Sequence, residues 1–158
     1  MLGWDWVMAS LTGFGGIQGA LGQMTHEEHR RVGWSVLWNL ATAQLRQNRS
    51  VVLDGVARDV EVAGTRTVAR SVGATTAVVL TSCSDVLLHR RRIEGRARDI
   101  PGWHELDWEH VDGFLGRWNP PRDVDLELDA IAPFEENVER LIALIRDGGE
   151  QGRAQPTH

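Results

Sequence analysis

The chain has 158 residues, of which 42% are hydrophobic and 25% charged, which fits one globular domain and excludes a disordered or fibrous chain. A net charge of −5 is a poor footprint for nucleic acid, so no nucleic-acid partner is expected. All seventeen basic residues are Arg; without a single Lys, Schiff-base chemistry, Ser–Lys pairs and the lysine of a phosphate-binding loop are excluded.

Residues 6–25 carry no charge, but five glycines and two glutamines make them a soluble loop or short helix rather than a membrane span, and Asp5 stands where a signal peptide is positive. No targeting segment is visible, so a cytoplasmic location and no membrane partner are expected. Thr25 and Glu28 form a capping-box pattern that opens a long helix, with Val32, Val36 and Leu40 in one stripe and Trp34, Trp38, Ala41 and Leu45 beside it. Residues 50–54 read as a short buried strand ending in Asp54. Residues 58–72 read as a helix stopped by Gly73. Residues 76–81 are a second β-branched strand, after which Ser84 is expected to cap a helix that runs into an arginine cluster. Residues 124–128 read as a third strand. Phe134, Val138, Leu141, Ile142 and Ile145 mark a closing helix, and residues 148–158 are expected to be a disordered polar tail. Short strands alternating with helices predict an α/β fold, a parallel sheet with flanking helices, over residues 1–147. Ligands of such sheets lie beyond the carboxyl ends of the strands, where Asp5, Asp54 and residues 82–85 would share one edge.

The densest feature is the run 88–103, in which Arg90, Arg91, Arg92, Arg96 and Arg98 fall within nine residues. Guanidinium groups suit bidentate contact with phosphate oxygens and keep their charge. Arg92 and Arg96 would share a helix face if the helix continues through Gly95. The plain alternative is a solvated basic helix paired with Glu94, Asp99 and Glu105. His26 and His29 have metal-like spacing without a third ligand, so no protein metal site is expected. His104 and His110 have nothing to fix their geometry, and Cys83, the only cysteine, reads as an inert thiol. The tryptophans read as packing, with Trp103 and Trp108 as lesser candidates for stacking on a base.

Residues 4–8, 50–56, 83–103 and 126–130 with the closing helix resemble, in order and in the His-Arg-x-Arg-Ile-Glu-Gly-Arg-x-Arg-x-Ile-Pro-Gly-Trp run, the P-loop kinase-like ATP-binding proteins, the group of AAA-type ATPases and zeta-toxin-like small-molecule kinases. The resemblance implies a P-loop NTPase-like sheet and an arginine-rich lid over about residues 89–112, with Arg90, Arg92, Arg96 and Arg98 on phosphate and Arg92 and Arg96 stabilising transferring charge. It implies Asp5 at the end of the second strand as general base, Asp54 near metal or substrate with Arg58 behind it, and ATP and Mg²⁺ as cofactors. The chain departs from that group in lacking the first strand and the Gly-x-x-Gly-x-Gly-Lys-Ser/Thr loop, about thirty residues that would precede Asp5. The glycines of residues 13–19 have no lysine and come after the Asp5 motif, so they do not replace it. The expectation is therefore an ATP-binding, kinase-like phosphotransferase for a small or modified acceptor, impaired as it stands, with the missing strand and loop encoded upstream of Met1. The rival is a non-catalytic interaction protein of the same fold that pairs an exposed sheet edge with a partner or a second copy, forming a homodimer. A third reading is an arginine-lid anion binder without turnover.

Overall fold

The structure, a computed structural model, describes residues 1–153, with side chains described through residue 148. The chain divides into two compact units, residues 1–57 with 97–105, and residues 58–96 with 106 onwards.

In the first unit, β1 (Leu2–Gly3) runs directly into α1 (Trp4–Thr12), followed by α2 (Gly15–Gly22), α3 (His26–Leu45) and β2 (Leu53–Asp54). β1 and β2 pair in parallel, Leu2 opposite Leu53 and Gly3 opposite Asp54. The start of α3 follows the expected capping box: the Thr25 hydroxyl accepts from Glu28 N at 3.2 Å, and Thr25 N donates to Glu28 Oε2 at 2.8 Å. Met8, Trp34, Leu37 and Ala41 form the buried centre where α1 crosses α3. Leu37 is completely enclosed, so Leu37→Ala is expected to lower the unfolding free energy by about 2–5 kcal/mol in urea titration. A loss under about 0.5 kcal/mol, the range of an ordinary surface site, would show that this helix contact is not a core.

The second unit contains α4 (Asp59–Ser71), β3 (Val79–Ser82), α5 (Val86–Glu94), α6 (Trp108–Leu115), β4 (Leu126–Asp129) and α7 (Phe134–Arg153). β3 and β4 pair in parallel from Val79–Leu126 to Ser82–Asp129, and α7 packs on β4. Gly73 takes the left-handed conformation, φ 71°, that ends α4. α7 continues through Arg153, past residue 148 where a disordered polar tail was expected to begin, and residues 154–158 lie outside the described residues.

The expected P-loop NTPase-like parallel sheet is not formed. Helices make up 55% of the chain, and the strands form two separate two-stranded parallel sheets, β1–β2 and β3–β4. Residues 6–25, expected as a loop or short helix, do form the body of α1 and α2; what is lost is the strand that the resemblance placed before Asp5. Trp4 and Met8 lie one helical turn apart, and Met8 is fully buried against the α3 side, so this apolar run winds as a helix and leaves only Leu2–Gly3 extended. β1 therefore offers two residues to its neighbour; of the Val51-Val52-Leu53 run only Leu53, with Asp54, stands opposite a β1 residue, and Val52 contributes its carbonyl, which accepts from Leu2 N–H at 2.8 Å. Asp5, expected at a strand end, sits in the first turn of α1, where the helix dipole favours a carboxylate. The expected helix through Gly95 is not formed either: α5 ends at Glu94 with Gly95 as its cap, so Arg92 and Arg96 do not share a helix face. The cap of α5 is Asp85, not Ser84; its Oδ1 accepts from Leu88 N at 2.9 Å.

Candidate functional site

Asp5 and Arg98, 93 residues apart, meet in the first unit: Arg98 Nη1 donates to Asp5 Oδ2 at 2.5 Å. β1 delivers Asp5 to the carboxyl end of the parallel pair, the end at which β2 finishes with exposed Asp54. Arg98 arrives on the segment 97–105, which closes on itself. Glu105 Oε1 accepts from the backbone N–H of Arg98 at 2.9 Å and of Asp99 at 3.2 Å, and Arg98 Nη2 donates to the His104 carbonyl at 2.7 Å. The turn needs left-handed backbone at Asp99 (φ 51°) and Gly102 (φ 72°). The guanidinium thus has one face of donors on its own loop and one on α1, and the Arg98 side chain is only 14% exposed.

A tryptophan fixes the floor of this site. Trp4 stands edge-on to Trp103 at 6.2 Å and to His29 at 5.9 Å, and its indole N–H reaches the Arg30 carbonyl at 3.4 Å. Two glycines make the room. A Cβ on Gly33 would fall 2.7 and 2.8 Å from Cε2 and Cδ1 of Trp4, and one on Gly55 3.0 Å from the Trp4 Cβ. An apolar groove of 440 Å³ opens elsewhere in this unit, among Met1, Leu2, Trp6, Leu11, Val36 and Leu40, and holds neither Asp5 nor any other charged side chain.

The remaining expected site residues lie in the second unit. Arg90 pairs with Glu94 one turn on, at 2.8 Å, the solvated-helix arrangement. Arg92 reaches the end of the other parallel pair, its Nη1 donating to the Ala130 carbonyl at 3.0 Å and lying 4.0 Å from Cys83 Sγ. Arg96 is exposed beyond the helix end. Arg58 begins α4, its backbone N–H donating to buried Glu61 at 2.8 Å. At the end of β4, Asp129 Oδ1 accepts from the N–H of Ser84 and of Ile131, both at 3.1 Å. Asp129 was not among the expected site residues, although a carboxylate closing a short strand was the signal used for Asp54. The sequence reading also named Glu105 only as a neutralising partner and did not see that it closes the Arg98 loop. Among the described residues no group of three or more His, Cys, Asp or Glu side chains is placed to hold a metal, and His29 packs on Trp4 instead. No described helix is long and apolar enough to cross a membrane.

Several of these groups titrate away from their ordinary values. Burial, then the charge of His26, lowers the His29 imidazole. Hydrogen bonds from Ser84 and Ile131 lower Asp129, and those from Arg122 lower Asp59. Burial raises Glu105, but the bonds from Arg98 and Asp99 outweigh it and the net direction is down. The signs agree. A lowered imidazole leaves the unfolded chain binding more protons, so stability starts to fall as pH drops through about 6.5. The lowered carboxylates add stability above their ordinary value of about 4 that is lost as pH falls through their folded values. Urea midpoints measured from neutral to acid pH are expected to decline in two stages, and His29→Gln is expected to remove the upper one only.

No protein-family model, characterised protein or solved structure matches this chain.

Proposed function

We propose that this chain acts as a kinase-like phosphotransferase that uses ATP on a small hydroxyl acceptor and that its own residues serve the acceptor end of the reaction. The observation that carries the reading is the meeting of Asp5 and Arg98 at the carboxyl end of a parallel strand pair, with Asp54 at the same end. Arg98 holds Oδ2 of Asp5, which aims the carboxylate and leaves Oδ1 for a substrate hydroxyl. The acceptor O–H gives its proton to Oδ1 as the oxygen bonds to the terminal phosphorus, and the ADP oxygen leaves.

The nucleotide's phosphates have no backbone cradle here. Gly13 caps the end of α1 and the glycines of residues 15–19 wind into α2 with Phe14 as its N-cap, and the chain has no lysine. Among the described residues no group of His, Cys, Asp or Glu side chains fits Mg²⁺. Turnover by this chain is therefore expected to be slow and ATP binding weak and salt-sensitive. Calorimetry with ATP at low and high salt, together with phosphoryl-transfer assays on Asp5→Asn, tests the reading. Weak binding that salt weakens further, with residual turnover lost in Asp5→Asn, is the expected result. No binding at millimolar ATP, or turnover unchanged in Asp5→Asn, would overturn it.

A further inference from the structure

The two edges of the β3–β4 sheet are treated differently. Ladder bonds run from Asp125 and Leu126 N–H to the Val78 carbonyl and from Ala130 N–H to the Ser82 carbonyl. Backbone groups alternate sides along a strand, so Leu126, Leu128 and Ala130 face β3 while Glu127 and Asp129 face outward. Both outward carbonyls on β4 are taken by side chains of α7: Arg140 Nη2 donates to Glu127 O at 2.9 Å and Asn137 Nδ2 to Asp129 O at 2.8 Å. That edge is capped. On β3 the same alternation turns Val78, Leu80 and Ser82 toward β4, and turns the N–H and C=O of Val79 and Thr81 outward. No side chain among the described residues caps them, and Thr81 is exposed.

We propose that the open β3 edge is a self-association surface and that its occupant is β3 of a second copy of this chain. The choice of occupant rests on charge and symmetry. Residues 71–84 carry no charged side chain, so two copies, each with a net charge of −5, meet there without direct repulsion. The usual edge defences are also missing: no lysine, proline or inward charge interrupts the strand. A two-fold axis through Leu80 sets Val79 of one copy opposite Thr81 of the other in antiparallel pairing. Each then exchanges both outward backbone bonds with its counterpart, and the sheet continues as β4–β3–β3–β4. A two-stranded sheet is marginal alone, and the doubled one is not. Val86 and Leu87, in the first turn of α5 just after β3, are 60% and 70% exposed and add apolar surface for a copy to cover. Asp5 and Arg98 belong to the other unit, so this proposal and the phosphotransfer reading fail separately.

Sedimentation equilibrium of the full chain over a wide concentration range gives the dimer constant directly. The wild type is expected to show a concentration-dependent monomer–dimer equilibrium, with the Val79 and Thr81 amides more slowly exchanging at high concentration. Thr81→Pro removes one outward donor without touching the β3–β4 ladder and is expected to be monomeric. Since that variant can fail to fold, Thr81→Lys is the second probe. It keeps every backbone group, sets a charge on the edge of each copy, and is expected to weaken the dimer by at least about tenfold. A wild type that is monomeric throughout overturns the proposal, as does a dimer that Thr81→Lys leaves unchanged.

Discussion

Gly33→Ala is expected to destabilise the protein by about 2–3 kcal/mol, although alanine is the better helix former by about 1 kcal/mol. Gly33 is buried within α3, and the added methyl would lie inside the van der Waals envelope of the Trp4 indole, nearest to Nε1. The indole has no room to yield. Its N–H is bonded to the Arg30 carbonyl, Trp103 and His29 meet it edge-on, and Gly55 meets its Cβ. The strain must pass into the α1–α3 contact or into the 97–105 loop. Gly19→Ala in α2 is the matched control, since nothing lies within 4 Å of its new methyl. It is expected to gain about 0.5–1 kcal/mol from helix propensity alone. Urea unfolding of the two variants therefore should move in opposite directions. If both rise together, Trp4 is not clamped and the floor of the site is looser than described.

The helices were more legible in the sequence than the sheet, for a physical reason. A capping box, a wide stripe at helical spacing and a glycine past the last turn are local signals, and they place α4, the start of α3 and the start of α7 close to their observed positions, while α7 runs on to Arg153 through the expected polar tail. Pairing is not local. Val51-Val52-Leu53 and Val78-Val79-Leu80 have the apolar character of strands buried on both faces, but nothing in either run says how many neighbours it has. Val52 is 61% exposed, since β1, the one strand paired with β2 among the described residues, supplies two residues. The strand before Asp5 rested on the resemblance alone, and it shrinks to Leu2–Gly3 because the apolar run that follows winds as α1. At the site, Asp5 and Arg98 were both singled out, but as members of different elements with different tasks. What joined them was Glu105, which folds the 97–105 segment back on itself, and a lone Glu seven residues after an Arg has no recognisable spacing.

Removing the Arg98 guanidinium tests how that loop is held. Arg98→Ala is expected to cost about 2 kcal/mol, more than a surface ion pair and less than a buried one. The arginine itself is well covered at 14% exposure, which argues for a large effect. Its partners are not: Asp5 and Glu105 are 38% and 47% exposed, so water can take the vacated positions. The loop should loosen without coming free, because Glu105 still accepts from the backbone N–H of residues 98 and 99. Trp103, packed on Trp4 at 6.2 Å, reports the change, and its near-ultraviolet dichroism should weaken while the helical signal stays. Arg98→Lys is expected to behave like the alanine variant. One ammonium cannot reach Asp5, the His104 carbonyl and Glu105 together, whereas the planar fork points at all three. Acid sensitivity supplies an independent sign. Glu105 is held below its ordinary range partly by the Arg98 side chain, so losing that side chain raises it toward the unfolded value. The variant should therefore lose less stability than the wild type as pH falls through the carboxylate range. A loss under about 0.5 kcal/mol, with lysine equal to arginine, would reduce Arg98 to an ordinary surface pair and leave Asp5 without its positioning partner.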